Sequence, residues 1–197
     1  MKVVAFNGSP RKNGNTSILI RTVFEELEKE GIETEVVNLA GKDIKGCIAC
    51  YKCFEKKEKE KEKEYKCLGI DDFINECIEK MIKADGILLG SPTFFSNVTT
   101  EMKAFIDRAG MVAYANPGLL RYKVGASVSV GTISGTTQTL MMMDSFFLCL
   151  EMFIVGANYF NMALGNDKGD VEKDERGLGT MRVLGRNMAF LLKKLNA

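Results

Sequence analysis

Cys47, Cys50 and Cys53 stand at three-residue spacing in the stretch CIACYKC, and a fourth cysteine, Cys67, follows after an acidic and basic tract. A C-x2-C-x2-C run lets one short loop present three thiolates to three corners of a cubane iron–sulfur cluster, which then needs one more ligand. Cys67 is the nearest candidate to complete a [4Fe-4S] site. Two other readings stay open: a zinc ion held by four thiolates, although structural zinc usually draws on two separated C-x2-C pairs, and a disulfide, which a reducing compartment disfavours. The remaining cysteines, Cys77 and Cys149, lie on apolar helical faces and read as core. The chain has no histidine, which removes Ser-His-Asp and Cys-His catalysis and mixed cysteine–histidine zinc sites together.

A second chemistry-bearing stretch is NGSPRKNGNTS, residues 7–17, between an apolar run and an amphipathic one. Gly8 and Gly14 allow the backbone to turn N–H groups inward, Ser9, Asn15, Thr16 and Ser17 add neutral donors, and Arg11 adds a full positive charge. That composition suits a phosphate; the plain alternative is a surface loop of turn-forming residues. The stretch is neither a Walker A, since Gly-Lys-Ser/Thr is missing, nor a G-x-G-x-x-G fingerprint. Pro92, Thr93, Phe94 and Phe95 open a second loop. Adjacent aromatics on an extended segment point opposite ways, so one ring is expected at the surface, ready for a planar heterocycle or a partner subunit. Two half-buried loop aromatics are the alternative. A third loop, SVGTISGTT at 129–137, brackets small hydroxyl residues with Gly131 and Gly135.

These loops need elements that bring them together. Apolar runs at 2–6, 33–39, 85–92, 123–131 and 154–160 predict strands, and helical periodicity predicts helices over 17–30, 71–84, 98–110, 136–153 and 178–195. Asp71 or Asp72 is the expected N-cap of the second helix. Five alternating strand–helix units imply a parallel sheet covered by helices, whose loops gather at one carboxyl edge. The tract Glu55–Lys66 is low in complexity, nearly balanced in charge, and expected to be a solvated excursion.

The 197 residues carry 27 basic and 26 acidic side chains, so no overall field draws the chain to nucleic acid or an anionic membrane. No stretch reaches the ~18 apolar residues of a membrane span and no signal peptide opens the chain, so a cytoplasmic location is expected.

GSPRKNGNT at 8–16 together with ADGILLGSPTFFSNVTTEMKAFIDR at 84–108 resembles the flavodoxin-like NAD(P)H-dependent FMN reductases and the iron–sulfur flavoproteins among them. The resemblance implies a flavodoxin-like doubly wound five-stranded parallel sheet of order 2-1-3-4-5 with helices on both faces and FMN at the switch point. It implies one domain over 1–197 with a cysteine-rich insertion at 45–70. Ser9, Arg11, Asn13, Asn15, Thr16 and Ser17 would hold the FMN phosphate. Pro92, Thr93, Phe94 and Phe95 would lie against the isoalloxazine, and Gly131, Thr132 and Gly135 would approach its other edge. The last segment departs from the Gly-Gly-Gln-type loops common in the family.

By the same resemblance, Cys47, Cys50, Cys53 and Cys67 would ligate a [4Fe-4S] cluster, although the family's last gap is usually shorter and some flavin reductases carry similar cysteines without a cluster. Electrons would pass from a donor such as reduced ferredoxin through cluster and FMN to a small-molecule or protein acceptor, with no side chain acting as acid or base. The alternatives are an NAD(P)H-dependent FMN or quinone reductase without a cluster, and a non-enzymatic metal-binding or regulatory module on the same scaffold. A homodimer or homotetramer is expected, from the resemblance and from the apolar run LMMMDSFFLCLEMFIV.

Overall fold

The computed structural model of the chain describes residues 1–55 and 65–196. Most of the charge ladder predicted at 55–66 therefore lies outside the described residues.

Strands β1 (Lys2–Asn7), β2 (Glu33–Asn38), β3 (Gly86–Pro92), β4 (Val124–Gly131), β5 (Phe153–Ile154) and β6 (Met162–Leu164) alternate with helices α1 (Asn15–Lys29), α2 (Phe73–Lys83), α3 (Thr100–Tyr114), α4 (Thr136–Cys149) and α5 (Glu175–Leu195). All strand pairs are parallel, in the order β2-β1-β3-β4-β5, and β6 also pairs with β4. The expected 2-1-3-4-5 sheet is present, but its fifth position is split. Ile154 pairs with Gly125 and Met162 with Ser129, so eight residues on this edge span only four of β4, and residues 156–160 lie outside the ladder. A continuous strand over 154–160 was the expectation; only its first residue, Ile154, is in the ladder, and the edge resumes beyond its predicted end at Met162.

Alternation along β1 explains the two layers. Val4 and Phe6 join the core with α2, α3 and α4, whereas Val3 and Ala5 join the core with α1 and α5. Phe6 stacks on Phe105 of α3 with ring centroids 4.3 Å apart. Glycines let the helices approach closely at the carboxyl edge. A Cβ on Gly90 would lie 2.8 Å from Ile20 Cδ1 and 3.1 Å from Thr16 Cγ2, and one on Gly8 would lie 2.9 Å from Met102 Cβ.

Helix ends follow capping chemistry. Asp72, one of the two residues expected there, caps α2 by accepting from the Ile74 amide; Thr99 caps α3 and Asp174 caps α5. Helix α4 ends at Cys149, short of the predicted Phe153. Cys77 is buried as expected, and burial pushes its thiol up to about 12. Cys149 is exposed, contrary to the core assignment, because it ends α4 on the face that also exposes Met141 and Leu148. Among the described residues no helix is long and apolar enough to cross a membrane.

Two glycine substitutions should diverge. Gly90→Ala is expected to destabilise the fold by about 1–3 kcal/mol through overpacking against α1. Gly179→Ala, within α5 and with nothing near its Cβ position, should stabilise by about 0.5–1 kcal/mol through helix propensity. Urea denaturation of both variants checks the contrast; equal effects would overturn it.

Asp144 on α4 gives a pH signature. Burial raises its carboxyl above the ordinary value, partly opposed by the Ser127 hydroxyl, which donates to it at 2.6 Å. A raised folded-state value means that the protonated form's contribution is complete below the unfolded carboxyl range and is lost as pH rises through the folded value. Asp144→Asn, which can still accept from Ser127, should therefore gain stability over the parent as pH rises through that window and keep a constant gain above it. A gain that instead grows on acidification, in melts taken across this range, contradicts the assignment.

Candidate functional site

Strands β1, β3 and β4 end at Asn7, Pro92 and Gly131, and the three loops singled out in the sequence open from these ends. The Asn7 side chain organises the first. Its Nδ2 donates to Ser17 Oγ at 3.1 Å and Asn38 Oδ1 at 3.0 Å, while its Oδ1 accepts from the Ser9 amide at 3.0 Å. Ser9 Oγ accepts from the Arg11 amide. The Gly8 amide donates to the Gly90 carbonyl and Thr99 Oγ1 donates to the Gly8 carbonyl, both at 2.8 Å, so the loop is locked onto β3 and α3.

Helix α1 starts behind Gly14 with no side-chain cap and no acidic residue in its first turn. Its orphan N–H groups and positive dipole end therefore face the loop, the arrangement that accepts a phosphate. Thr16 is buried with its methyl directed at Gly90, and Asn13 is exposed and left-handed at φ 52°. Arg11 and Asn15 have protein partners as well. Arg11 Nη1 donates to the Asn166 carbonyl at 2.5 Å, and Asn15 donates to the Asp167 carbonyl and accepts from the Gly169 amide, each at 2.8 Å. Residues 166–169 are thereby fastened over one side of the first loop.

The second and third loops meet. The Thr93 amide donates to the Val130 carbonyl at 2.7 Å, and Thr93 Oγ1 lies 3.1 Å from the hydroxyls of Ser129 and Thr139. A Cβ on Gly135, left-handed at φ 85°, would lie 2.7 Å from Ser96 Oγ, so only glycine allows the approach. Like α1, α4 starts without a side-chain cap or an acidic first turn. Thr132 reaches toward Asn166, which links the third loop to the first. The extended aromatic segment expected after Pro92 is instead a tight turn: Phe94 and Asn97 exchange backbone hydrogen bonds of 2.8 and 3.0 Å, and Phe95 and Ser96 between them are both left-handed. Left-handed φ at both central positions marks a type I′ turn. Both rings are exposed, Phe95 fully. A phenylalanine held there without solvent protection carries backbone strain of about 1–3 kcal/mol, a mark of functional segments.

The four predicted ligand cysteines form a separate site. Cys47, Cys50, Cys53 and Cys67 line one recess, with Gly69, Ile70, Arg108, Met111 and Val112. Ala49 and Tyr51, between the first three cysteines, are left-handed and curl that segment round the recess. Burial pushes the Cys53 thiol up, and its neighbours Cys67, Cys47 and Cys50 add to the rise. A Cβ on Gly69 would overlap Cys50 Sγ. Asn75 of α2 holds the Cys67 backbone from both sides, donating to its carbonyl at 3.2 Å and accepting from its amide at 2.8 Å. Among the described residues no three cysteine or acidic side chains converge on a single-ion position.

Arg108 of α3 closes the recess. Its side chain is wholly buried, and its Nη1 donates to Asp72 Oδ2 at 2.5 Å and to the Lys45 carbonyl at 3.2 Å, while Nη2 donates to the Ile70 carbonyl at 2.7 Å. Nε has no partner. Burial works against this charge, but Asp72 and Cys67 outweigh it and hold the guanidinium above its ordinary value.

Asn7, Thr99, Asn166, Asn75 and Arg108 were not singled out from the sequence. Arg108 had a signal: it interrupts the apolar stripe Phe105, Ala109 and Val112 of one helical face. Asn7 had none beyond an Asn-Gly pair that also suits a turn.

The profile of the NADPH-dependent FMN reductase family matches residues 1–167. An iron–sulfur flavoprotein of Methanocaldococcus jannaschii is 39% identical over 98% of both chains, and one of Methanosarcina thermophila is 30% identical over 98% of this chain and 96% of its own. Among solved structures, RosB with a bound riboflavin phosphate intermediate superposes with TM-score 0.75 at 19% identity, covering all of this chain and 80% of that one. An archaeal flavodoxin superposes with TM-score 0.63 at 17% identity, over 98% and 99% of the two chains. These structural likenesses establish a flavodoxin-like fold, and the sequence matches establish an FMN-dependent oxidoreductase. The chain belongs to the NADPH-dependent FMN reductase family, among its iron–sulfur flavoproteins.

Proposed function

We propose that this chain is an electron-transfer protein that passes electrons between a [4Fe-4S] cluster and FMN. The observation that carries the cluster is the single recess lined by Cys47, Cys50, Cys53 and Cys67, with a buried cation on its wall. Thiols spread round a recess suit a group that offers each of them a separate iron, and the unpartnered Nε of Arg108 suits sulfide acceptors. Gly69 keeps the space beside Cys50 open. When bound, FMN supplies one- or two-electron chemistry and the cluster supplies one-electron chemistry.

For FMN, the unsatisfied first turn of α1, framed by Ser9, Arg11, Asn13, Thr16 and Ser17, would receive the phosphate, and Asn15 would hold loop 166–169 in place beside it. Pro92, Thr93, Phe94 and Phe95 would flank one side of the ring, and Gly131, Thr132 and Gly135 the other. No titratable side chain is required at the ring. The thiol recess lies against Arg108, Met111 and Val112, well along α3, whereas the aromatic turn precedes its first residue. Nine residues from Thr99 to Arg108 correspond to about 14 Å along the helix axis. Association of two chains through the exposed Phe94, Phe95, Met141 and Leu148 would let one chain's cluster serve the other's flavin.

Reduced ferredoxin is the proposed donor, with a small-molecule or protein acceptor. Direct hydride transfer from NAD(P)H is the second reading, favoured by the family match at 1–167. Anaerobically prepared protein should contain close to equal iron and acid-labile sulfide together with FMN. Cys53→Ala should lose most of the iron and keep its flavin. Flavin without iron in the parent, bleached rapidly by NADPH, would leave only the second reading.

Asn7→Ala removes the side chain that shapes the phosphate loop. It should weaken FMN binding by about tenfold, the equivalent of one buried hydrogen-bonded group. Riboflavin, which lacks the phosphate, should lose much less, so the preference for FMN narrows. Fluorescence titration with both flavins measures this; an equal loss for the two places the phosphate elsewhere.

A further inference from the structure

We infer that Arg108 is the positioning and charge-setting residue of the thiol site, holding its two cysteine-bearing segments in place and raising the reduction potential of the group they bind. The inference rests on the [4Fe-4S] reading above and names a residue of this chain that governs it. The sequence delivers the thiols in two pieces. Cys47, Cys50 and Cys53 come from the segment that begins at Lys45, and Cys67 comes from the segment that runs through Ile70 to α2. Arg108 comes from a third element, α3, and its guanidinium donates to the Lys45 carbonyl, the Ile70 carbonyl and Asp72 at once. One planar fork therefore joins both pieces to the helix behind them, a role for which a lysine lacks the geometry.

The remaining donor gives the second half of the inference. Arg108 uses both terminal nitrogens on protein acceptors, but its Nε is buried without a partner in a side chain that lines the same recess as the thiols. An unpaired buried N–H is a costly feature unless something outside the protein accepts from it. Cluster sulfur is the acceptor that the recess would hold. A full positive charge beside the thiols and an N–H left free to donate to cluster sulfur both favour the more negative, reduced form of a cluster. Asp72 opposes this, since its carboxylate neutralises part of the Arg108 charge. Its Oδ2 also accepts from the Lys45 amide at 3.2 Å and its Oδ1 from the Ile74 amide, so asparagine, with one acceptor oxygen, loses the charge and can keep the Arg108 and Lys45 contacts of Oδ2 while giving up the Ile74 contact.

The two partners therefore predict opposite effects. In anaerobically prepared full-length protein, Arg108→Gln should lower the cluster's midpoint potential and Asp72→Asn should raise it. Each shift should change the reduced-to-oxidised ratio at fixed potential by at least tenfold, which is 59 mV for one electron. The flavin potential, read in the same titration, should stay within a small fraction of that shift. Electron paramagnetic resonance follows the cluster and absorbance follows the flavin. A purely structural role would give no shift, or shifts of the same sign, in both variants, and either result overturns the inference. If Arg108→Gln fails to retain iron, Asp72→Asn decides alone: an upward shift supports the inference and an unchanged potential overturns it. Parent protein with flavin but no iron or sulfide would refute the cluster reading itself, a result separate from unshifted potentials in iron-loaded variants.

Discussion

The carboxyl edge of this sheet depends on how closely the helices can lie on it. Gly8 and Gly90 are the contact points: a methyl group on either would enter α3 or α1 at under 3 Å. Because these positions are bare, the first turn of α1 sits directly over β1 and β3, and Thr99 can reach the Gly8 carbonyl. Asn7 then links β1 to β2 and α1 through two side-chain hydrogen bonds and turns the loop with a third, from the Ser9 amide. The phosphate-accepting loop is a result of this packing. Helices α2, α3 and α5 are capped by the side chains of Asp72, Thr99 and Asp174, whereas α1 and α4, which flank the proposed flavin, begin behind glycine.

The thiol site obeys a different constraint. Its segments lack strand or long-helix hydrogen bonding, so their carbonyls must be satisfied from outside. Asn75 serves Cys67 and Arg108 serves Lys45 and Ile70. The Arg108–Asp72 pair is buried, and removing one partner of such a pair typically costs about 3–5 kcal/mol. Stability of the scaffold and geometry of the thiols are thereby carried by the same few atoms.

The architecture was legible because apolar strand runs and helix-period stripes are local patterns. The phosphate loop was legible for the same reason: its glycines, hydroxyls and arginine are contiguous in the chain. The cysteines announced themselves by spacing. Less accessible were features set by residues far apart in sequence, such as Asn15 meeting Gly169 and Arg108 meeting Lys45. The fifth strand was read as continuous because Ile154–Phe160 is apolar, yet pairing with β4 holds only its start and resumes past its predicted end, at Met162–Leu164. The aromatic segment was read as extended because phenylalanine favours strands, but the reciprocal bonds between Phe94 and Asn97 override that preference. Cys149 was misplaced because an apolar helix with no charged face offers little basis for deciding which side is covered.

The manner in which the two cysteine segments are anchored bears on how the chain tolerates change. One guanidinium holds the carbonyls of both Lys45 and Ile70, and Asn75 adds a second hold on Cys67 alone. A change at Arg108 is therefore felt by all four thiols together, whereas a change at Asn75 is felt first by Cys67 and leaves the other three to their own loop.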